Sequence, residues 1–208
     1  MIILLNGTSS AGKTTLARQL QQRYDGVMLL YGVDTMVQGA FPEKCDEPPW
    51  NEQAIRLECS EVNGSPVAKL LVSPYMYPVY RSAVQYYRLL SAQGYNLIVD
   101  ELLFDANRID PYFDLLLDQT VYFIGVKPER DVVVQRERER SDRIPGLAAG
   151  LYDEVYHRLF SYDLLLDTGR LTASDAAVQV LAYLAHERHP TAFKTTAQRW
   201  ALARTTAP

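Results

Sequence analysis

Eight residues near the start of the chain, Gly7-Thr8-Ser9-Ser10-Ala11-Gly12-Lys13-Thr14, constrain it more than any other stretch. They follow the apolar run Ile2-Ile3-Leu4-Leu5 and precede Leu16, Ala17 and Leu20, which recur at helical spacing opposite Arg18, Gln19, Gln21 and Gln22. A strand, then G-x-x-x-x-G-K-[ST], then a helix is the context in which this pattern cradles phosphates as a P-loop. Backbone N–H groups curl around the phosphate oxygens, and the positive end of the following helix dipole adds to them. The plain alternative is a glycine-rich turn with no ligand. Its weight is small, because the four fixed positions match by chance in under ~1% of chains of this length. Gly7, Thr8, Ser9, Ser10, Ala11, Gly12, Lys13, Thr14 and Thr15 are therefore the expected nucleotide-binding residues. Lys13 would reach the β- and γ-phosphates of ATP or GTP, and the Thr14 hydroxyl would ligate Mg²⁺.

A chain of 208 residues suits one α/β domain with a substantial core. Its net charge of −4 argues against a general nucleic-acid binder, whose footprint is basic. Cys45 and Cys59 sit in no metal-ligand spacing. No apolar run approaches the eighteen residues needed to span a bilayer, and the first leads straight into the loop rather than to a cleavage site. The expectation is a cytoplasmic protein with no membrane partner. Assembly of identical copies is compatible with these features.

Apolar runs predict further strands at Val27–Tyr31, Leu97–Asp100, Gln119–Val126 and Asp163–Asp167. Helical spacing predicts helices over 75–93, in a short piece from Tyr112 to Leu117, and over 128–140. Two more are expected near Leu151–Phe160 and over Ser174–His186, with Ser174 as N-cap. Residues 41–74 are punctuated by five prolines and carry only short strand-like patches, Ala54–Cys59 and Val67–Val72. They read as an insertion that meets an acceptor. Strands alternating with helices imply a five-stranded parallel sheet between two helical layers, with ligands at the strand carboxyl ends. The domain is expected to span 1–188, with a mobile lid at 136–150. Residues 189–208 form a C-terminal extension without a strong apolar face, expected to be disordered or to order on a partner.

Three further features carry chemistry. Asp100 closes an apolar strand, where a carboxylate can hold Mg²⁺ opposite Thr14; the alternative is a turn-forming Asp. Asp34 follows the second strand at the same sheet edge, placed to orient an acceptor hydroxyl and take its proton, or else to cap the next helix. Arg136, Arg140 and Arg143 fall at i, i+4 and i+7, one face of a helix if it continues that far, and arginine suits a phosphate clamp. Against that stands a solvated face laced with Glu137 and Glu139. His157 could approach the active edge or be structural, and the tyrosines at 75, 77, 80, 86 and 87 could line a small-molecule pocket, though half of them read as helix packing.

Together these pieces resemble the chloramphenicol phosphotransferase family of P-loop kinases. The resemblance rests on Ile3–Thr14, Gly32-Val33-Asp34-Thr35 and Leu97-Ile98-Val99-Asp100-Glu101. It continues through Arg136-Glu137, Arg140, Asp142-Arg143, Gly146-Leu147-Ala148, His157, Tyr162-Asp163 and Asp167-Thr168. It implies a kinase-like three-layer fold and an antibiotic-resistance type of activity, in which ATP phosphorylates a hydroxyl of a small molecule. It also implies that Asp34 is the catalytic carboxylate and that Arg140 and Arg143 are lid arginines. Thr14 replaces the Ser common in such loops, Arg138 is additional, and residues 40–74 lie outside the resemblance. Acceptor choice should reside in that stretch, so the resemblance implies transfer without naming the acceptor. The expected machinery is Lys13, Asp34, Arg136, Arg140 and Arg143 around ATP, with Mg²⁺ on Thr14 and Asp100. A nucleoside or nucleotide kinase is one alternative, and a regulatory NTP-binding module is another.

Overall fold

A computed structural model describes residues 1–32, 36, 41–62, 64–140 and 144–205. Seven strands are present: β1 (Ile2–Asn6), β2 (Met28–Gly32), β3 (Ile55–Val62), β4 (Ser65–Val72), β5 (Asn96–Glu101), β6 (Val121–Val126) and β7 (Leu164–Leu166). Five of them form a parallel sheet in the order β2-β5-β1-β6-β7. β1 and β6 are buried along their whole length, as their unbroken apolar runs require of central parallel strands. The register sets Leu5 beside Asp100 and Ile124, and Gly32 beside Asp100. The carboxyl ends that carry the candidate residues therefore stand level. Gly32 is held to glycine by contact rather than by an unusual φ, since a Cβ there would meet the Asp100 carbonyl oxygen at 2.6 Å.

Helices cover both faces. On one, α1 (Lys13–Arg23) and α6 (Ala173–His186) pack with Ile3, Leu5, Ile98 and Ile124. On the other, α2 (Tyr77–Ala92), α3 (Ala106–Leu115) and α7 (Ala192–Thr205) pack with Leu4, Leu97, Val99 and Phe123. The three-layer architecture expected from the alternation of elements is the one observed. Between β6 and β7 lie α4 (Arg130–Arg138) and α5 (Leu147–Val155). No helix among the described residues is long and apolar enough to cross a membrane.

The two strand-like patches of the insertion pair with each other. β3 and β4 form an antiparallel hairpin from Ile55↔Val72 to Val62↔Ser65. β3 is exposed from Arg56 onward, whereas Ala68 of β4 is buried. Leu70 and Val72 of β4 pack with Phe104, Leu151 and Val155. At Gly150 of α5 a Cβ would meet the Ala68 carbonyl oxygen at 2.1 Å, and at Gly146 it would meet that of Pro66 at 2.4 Å. The hairpin backbone thus sits directly on α5, as only glycine permits.

Several boundaries differ from the sequence expectations, each for a local reason. α3 begins at Ala106 because the Asp105 carboxylate caps the Arg108 N–H at 3.1 Å; Pro111 lies inside that helix instead of opening it. Thr172, not Ser174, caps α6, accepting from the Asp175 N–H at 3.1 Å. α5 starts at Leu147, so the second half of the expected mobile loop is helical, with Ala148 fully buried. The C-terminal extension is also ordered as α7. Phe193 and Ala197 enter the core, and the Asp163 carboxylate, from before β7, accepts the Thr191 and Ala192 N–H groups. A weak apolar stripe suffices because hydrogen bonds hold its polar side chains: Arg199 donates to the Ser161 hydroxyl, Trp200 to the Asp110 carboxylate, and the Ser161 N–H to the Thr196 hydroxyl.

Candidate active site

The P-loop runs from Gly7 to the start of α1, and its backbone shape is set by a few positions. A Cβ at Gly7 would meet the Val126 carbonyl oxygen at 2.5 Å. Ser10 and Gly12 take positive φ, 60° and 92°, which for Ser10 is a costly conformation. The Ser10 hydroxyl is buried without a hydrogen-bond partner, so strain and an unsatisfied group fall on one residue of the loop. Gly12 caps α1 with no side-chain bond, which leaves the first amides of the helix facing the loop.

Three expected residues converge at this edge. The Lys13 ammonium donates to the Thr8 carbonyl at 3.1 Å and lies 3.6 Å from Asp100 Oδ1. Thr14 Oγ1 donates to Asp100 Oδ2 at 2.6 Å. One carboxylate at the end of β5 is thus shared by the lysine and threonine of the loop, because the β1–β5 register brings the two strand ends together. Thr14 Oγ1 and the Asp100 carboxylate are hard oxygen donors in contact, the donor chemistry that suits Mg²⁺.

A cleft of about 490 Å³ opens beside them, lined by Ser10, Gly12, Thr15, Arg136, Arg140 and Thr168 among others. Arg136 donates through Nη2 to the Thr168 carbonyl at 2.6 Å and through Nη1 to its hydroxyl at 3.3 Å. Thr168 Oγ1 in turn donates to the Ala11 carbonyl at 2.7 Å. Arg136 and Arg140 do not share one helix, since α4 ends at Arg138. Arg136 and Arg140 nevertheless border the same cleft, the second from the turn beyond the helix. Asp34, Ser141, Asp142 and Arg143 lie outside the described residues. The structure therefore brings Lys13, Thr14 and Asp100 together at the loop, and sets Thr15, Arg136 and Arg140 on the adjoining cleft.

Glu101 points away from this edge. It is 1% exposed and pairs with Arg108 at 3.1 Å, and the guanidinium stacks over the rings of Tyr80 and Phe104. Burial pushes its carboxyl up against the opposing pull of Arg108. His157 is also away from the phosphate edge, packed on Phe160 and Trp200, and burial pushes its imidazole down.

Comparison with known proteins assigns the family. A model of chloramphenicol phosphotransferase-like proteins matches residues 1–185. The chain belongs to the chloramphenicol phosphotransferase-like family. A Mycobacterium tuberculosis protein provisionally named an O-phosphotransferase is 30% identical over 176 residues, 80% of this chain and 74% of that protein. Among solved structures, a sugar kinase from Janibacter sp. HTCC2649 aligns with a TM-score of 0.60 at 17% identity, covering 88% of this chain and 94% of its own. The Mycobacterium tuberculosis APS kinase aligns at 0.58 and 15%, covering 88% and 96%. The Deinococcus radiodurans tunicamycin resistance protein aligns at 0.55 and 21%, covering 91% and 98%. At these identities the three structures establish the P-loop kinase fold and no more.

Residues outside the expected catalytic set also hold this site together. Thr168 bridges Arg136 to the loop; its signals were the Asp167-Thr168 pair of the family resemblance and its place two residues past β7, at the ligand edge of the sheet. Asn6, fully buried at the end of β1, donates to the Val155 carbonyl at 2.9 Å and accepts from the Leu103 N–H at 3.1 Å. The Tyr156 hydroxyl accepts from the Thr8 N–H at 3.2 Å and donates to the Val126 carbonyl at 2.5 Å. Burial pushes that phenol far above its ordinary range, so it stays a neutral donor. The bonds from Asn6 to Val155 and from Thr8 to Tyr156 join positions about 150 residues apart and leave no local pattern in the sequence.

Proposed function

We propose that this protein transfers the γ-phosphoryl group of ATP to a hydroxyl of an uncharged small molecule. The observation that carries the reading is the convergence of Lys13, Thr14 and Asp100 beside a cleft bordered by Arg136 and Arg140. Phosphoryl transfer asks little covalent chemistry of a protein and much positioning and charge stabilisation. Loop amides and Lys13 would bind the phosphates, and the arginines would meet the charge that spreads over the transferring group. Thr14 and Asp100 would hold Mg²⁺, which would neutralise phosphate charge there. Asp34 follows β2 by two residues, and β2 ends beside Asp100; from there it would orient the acceptor hydroxyl and accept its proton.

The arginine pairing supports an uncharged acceptor. Arg81 pairs with Asp114 and Arg88 with Asp118, all exposed, while Arg56 lies on exposed β3. Arg108 is buried and neutralised by Glu101. A phosphorylated acceptor would need such cations unspent near the β5 edge. The test is acceptor phosphorylation by wild type and Asp34→Ala across uncharged hydroxyl compounds, chloramphenicol included. Transfer by wild type and its loss in the variant are expected; equal transfer by both would remove Asp34 as the base.

A further inference from the structure

Glu137 has an unexpected position for a charged residue in an Arg-Glu repeat. It is 4% exposed, and both carboxylate oxygens are engaged, Oε2 by the Gly146 N–H and Oε1 by the Ala148 N–H, each at 2.7 Å. Those amides begin α5, whose own cap residue, Gly146, has no side chain to offer. A carboxylate from the last turn of α4 thus does the work of an N-cap, with the helix dipole adding to the attraction.

The bond closes a circuit around the candidate site. The neighbouring Arg136 reaches the other way, to Thr168 and through it to Ala11 of the P-loop. α5 is tied back to the same loop, since Thr8 Oγ1 donates to the Ala148 carbonyl at 3.2 Å and the Thr8 N–H to Tyr156. The Arg140 N–H donates to the Glu137 backbone carbonyl at 3.2 Å, so the second cleft arginine leaves α4 directly after the clasped residue. Glu137 ties the last turn of α4 to the start of α5, while Arg130 pairs the first turn of α4 with Asp153 of α5.

We propose that Glu137 is a positioning residue: its clasp on α5 fixes Arg136 and Arg140 relative to the P-loop. It touches neither the cleft nor any reacting atom. Its effect on turnover rests on the phosphotransferase reading, whereas the clasp itself does not. The loop amides and Lys13 make no direct bond to Glu137, so ATP binding should survive its loss. The arginines' aim at the transferring group should not, and small misplacements are costly in rate.

The experiment compares wild type, Glu137→Ala and Glu137→Gln, with melting temperature measured for each. In ligand-free protein, Glu137→Ala should raise hydrogen exchange of the Gly146 and Ala148 amides at least about tenfold, because their acceptor is gone. At saturating ATP, turnover on the wild type's own acceptor, or on water in its absence, should fall about tenfold or more while the ATP KM stays within about threefold. Glu137→Gln keeps one carbonyl acceptor and should fall between. Unchanged exchange at both amides overturns the clasp. A lowered melting temperature with full turnover below it leaves Glu137 a helix cap only and overturns the positioning role. If wild type consumes no ATP, the phosphotransferase reading fails and the positioning role with it, while the exchange result still decides the clasp.

Discussion

The P-loop and the β3–β4 hairpin both rest on α5, and they do so by opposite means. The P-loop is joined to it by buried hydrogen bonds from Asn6 and Thr8 to Val155, Ala148 and Tyr156. The hairpin lies on it by close backbone contact at Gly146 and Gly150, with one further bond from the Ala68 N–H to the Gly146 carbonyl at 3.0 Å. Polar bonds to a fixed backbone specify one geometry, whereas a glycine-floored contact tolerates different side chains on the strand above it. Under the proposed function, the donor end would thereby be held constant, and the hairpin would be the part free to vary with the acceptor.

Substitutions that break one side and spare the other test this difference. The largest effect should come from Lys13→Ala, which removes a charge aimed at the transferring group. ATP turnover should drop by about 10²-fold or more, read in a coupled assay, with the melting temperature nearly unchanged because Lys13 is not part of the core. Asp100→Asn comes next. It keeps the shape of the β5 end but weakens the oxygen donor shared by Lys13 and Thr14, so the Mg²⁺ concentration for half-maximal turnover should rise roughly tenfold or more.

Gly150→Ala addresses the hairpin side. The new methyl would press on the Ala68 carbonyl, a backbone atom that cannot turn aside, so the hairpin must shift. Overpacking of this kind costs about 1–3 kcal/mol, seen as a lower melting temperature. The ATP KM should hold while the acceptor KM rises. A matching loss on the ATP side would mean that the two regions are not separable.

The smallest effect concerns His157. Burial lowers its pKa in the fold, so the folded state favours the neutral ring. Its stabilising contribution is present above about pH 6.5, the unfolded value, and is lost as the pH falls through the lowered folded value. Melting temperatures recorded between pH 7.5 and 5.5 should decline in wild type, and less in His157→Gln. Equal slopes would assign the decline to other groups.

The same contrast explains what the sequence disclosed. The P-loop was legible because its pattern is written in eight consecutive residues whose backbone would do the binding. Asp100 was legible because a buried strand ending in an acid is a local pattern. Five parallel strands followed from periodicity alone. Glu137 was misleading for a physical reason: beside Arg136 and Arg138 it looks like a solvated helix face, and only the return of the chain at Gly146 buries it. Asn6 and Thr168 act across the whole domain, and α7 folds on a core that it does not itself display. Local chemistry is readable in order; contacts made by chain return are not.

The central claim is that the ordered donor end serves transfer to an organic hydroxyl rather than to water. It is tested most directly by following label from γ-labelled ATP in the presence of uncharged hydroxyl compounds. The account predicts label on the organic acceptor, dependent on Mg²⁺ and abolished in Lys13→Ala. Label appearing solely as inorganic phosphate with every compound, at a rate no acceptor changes, would contradict it.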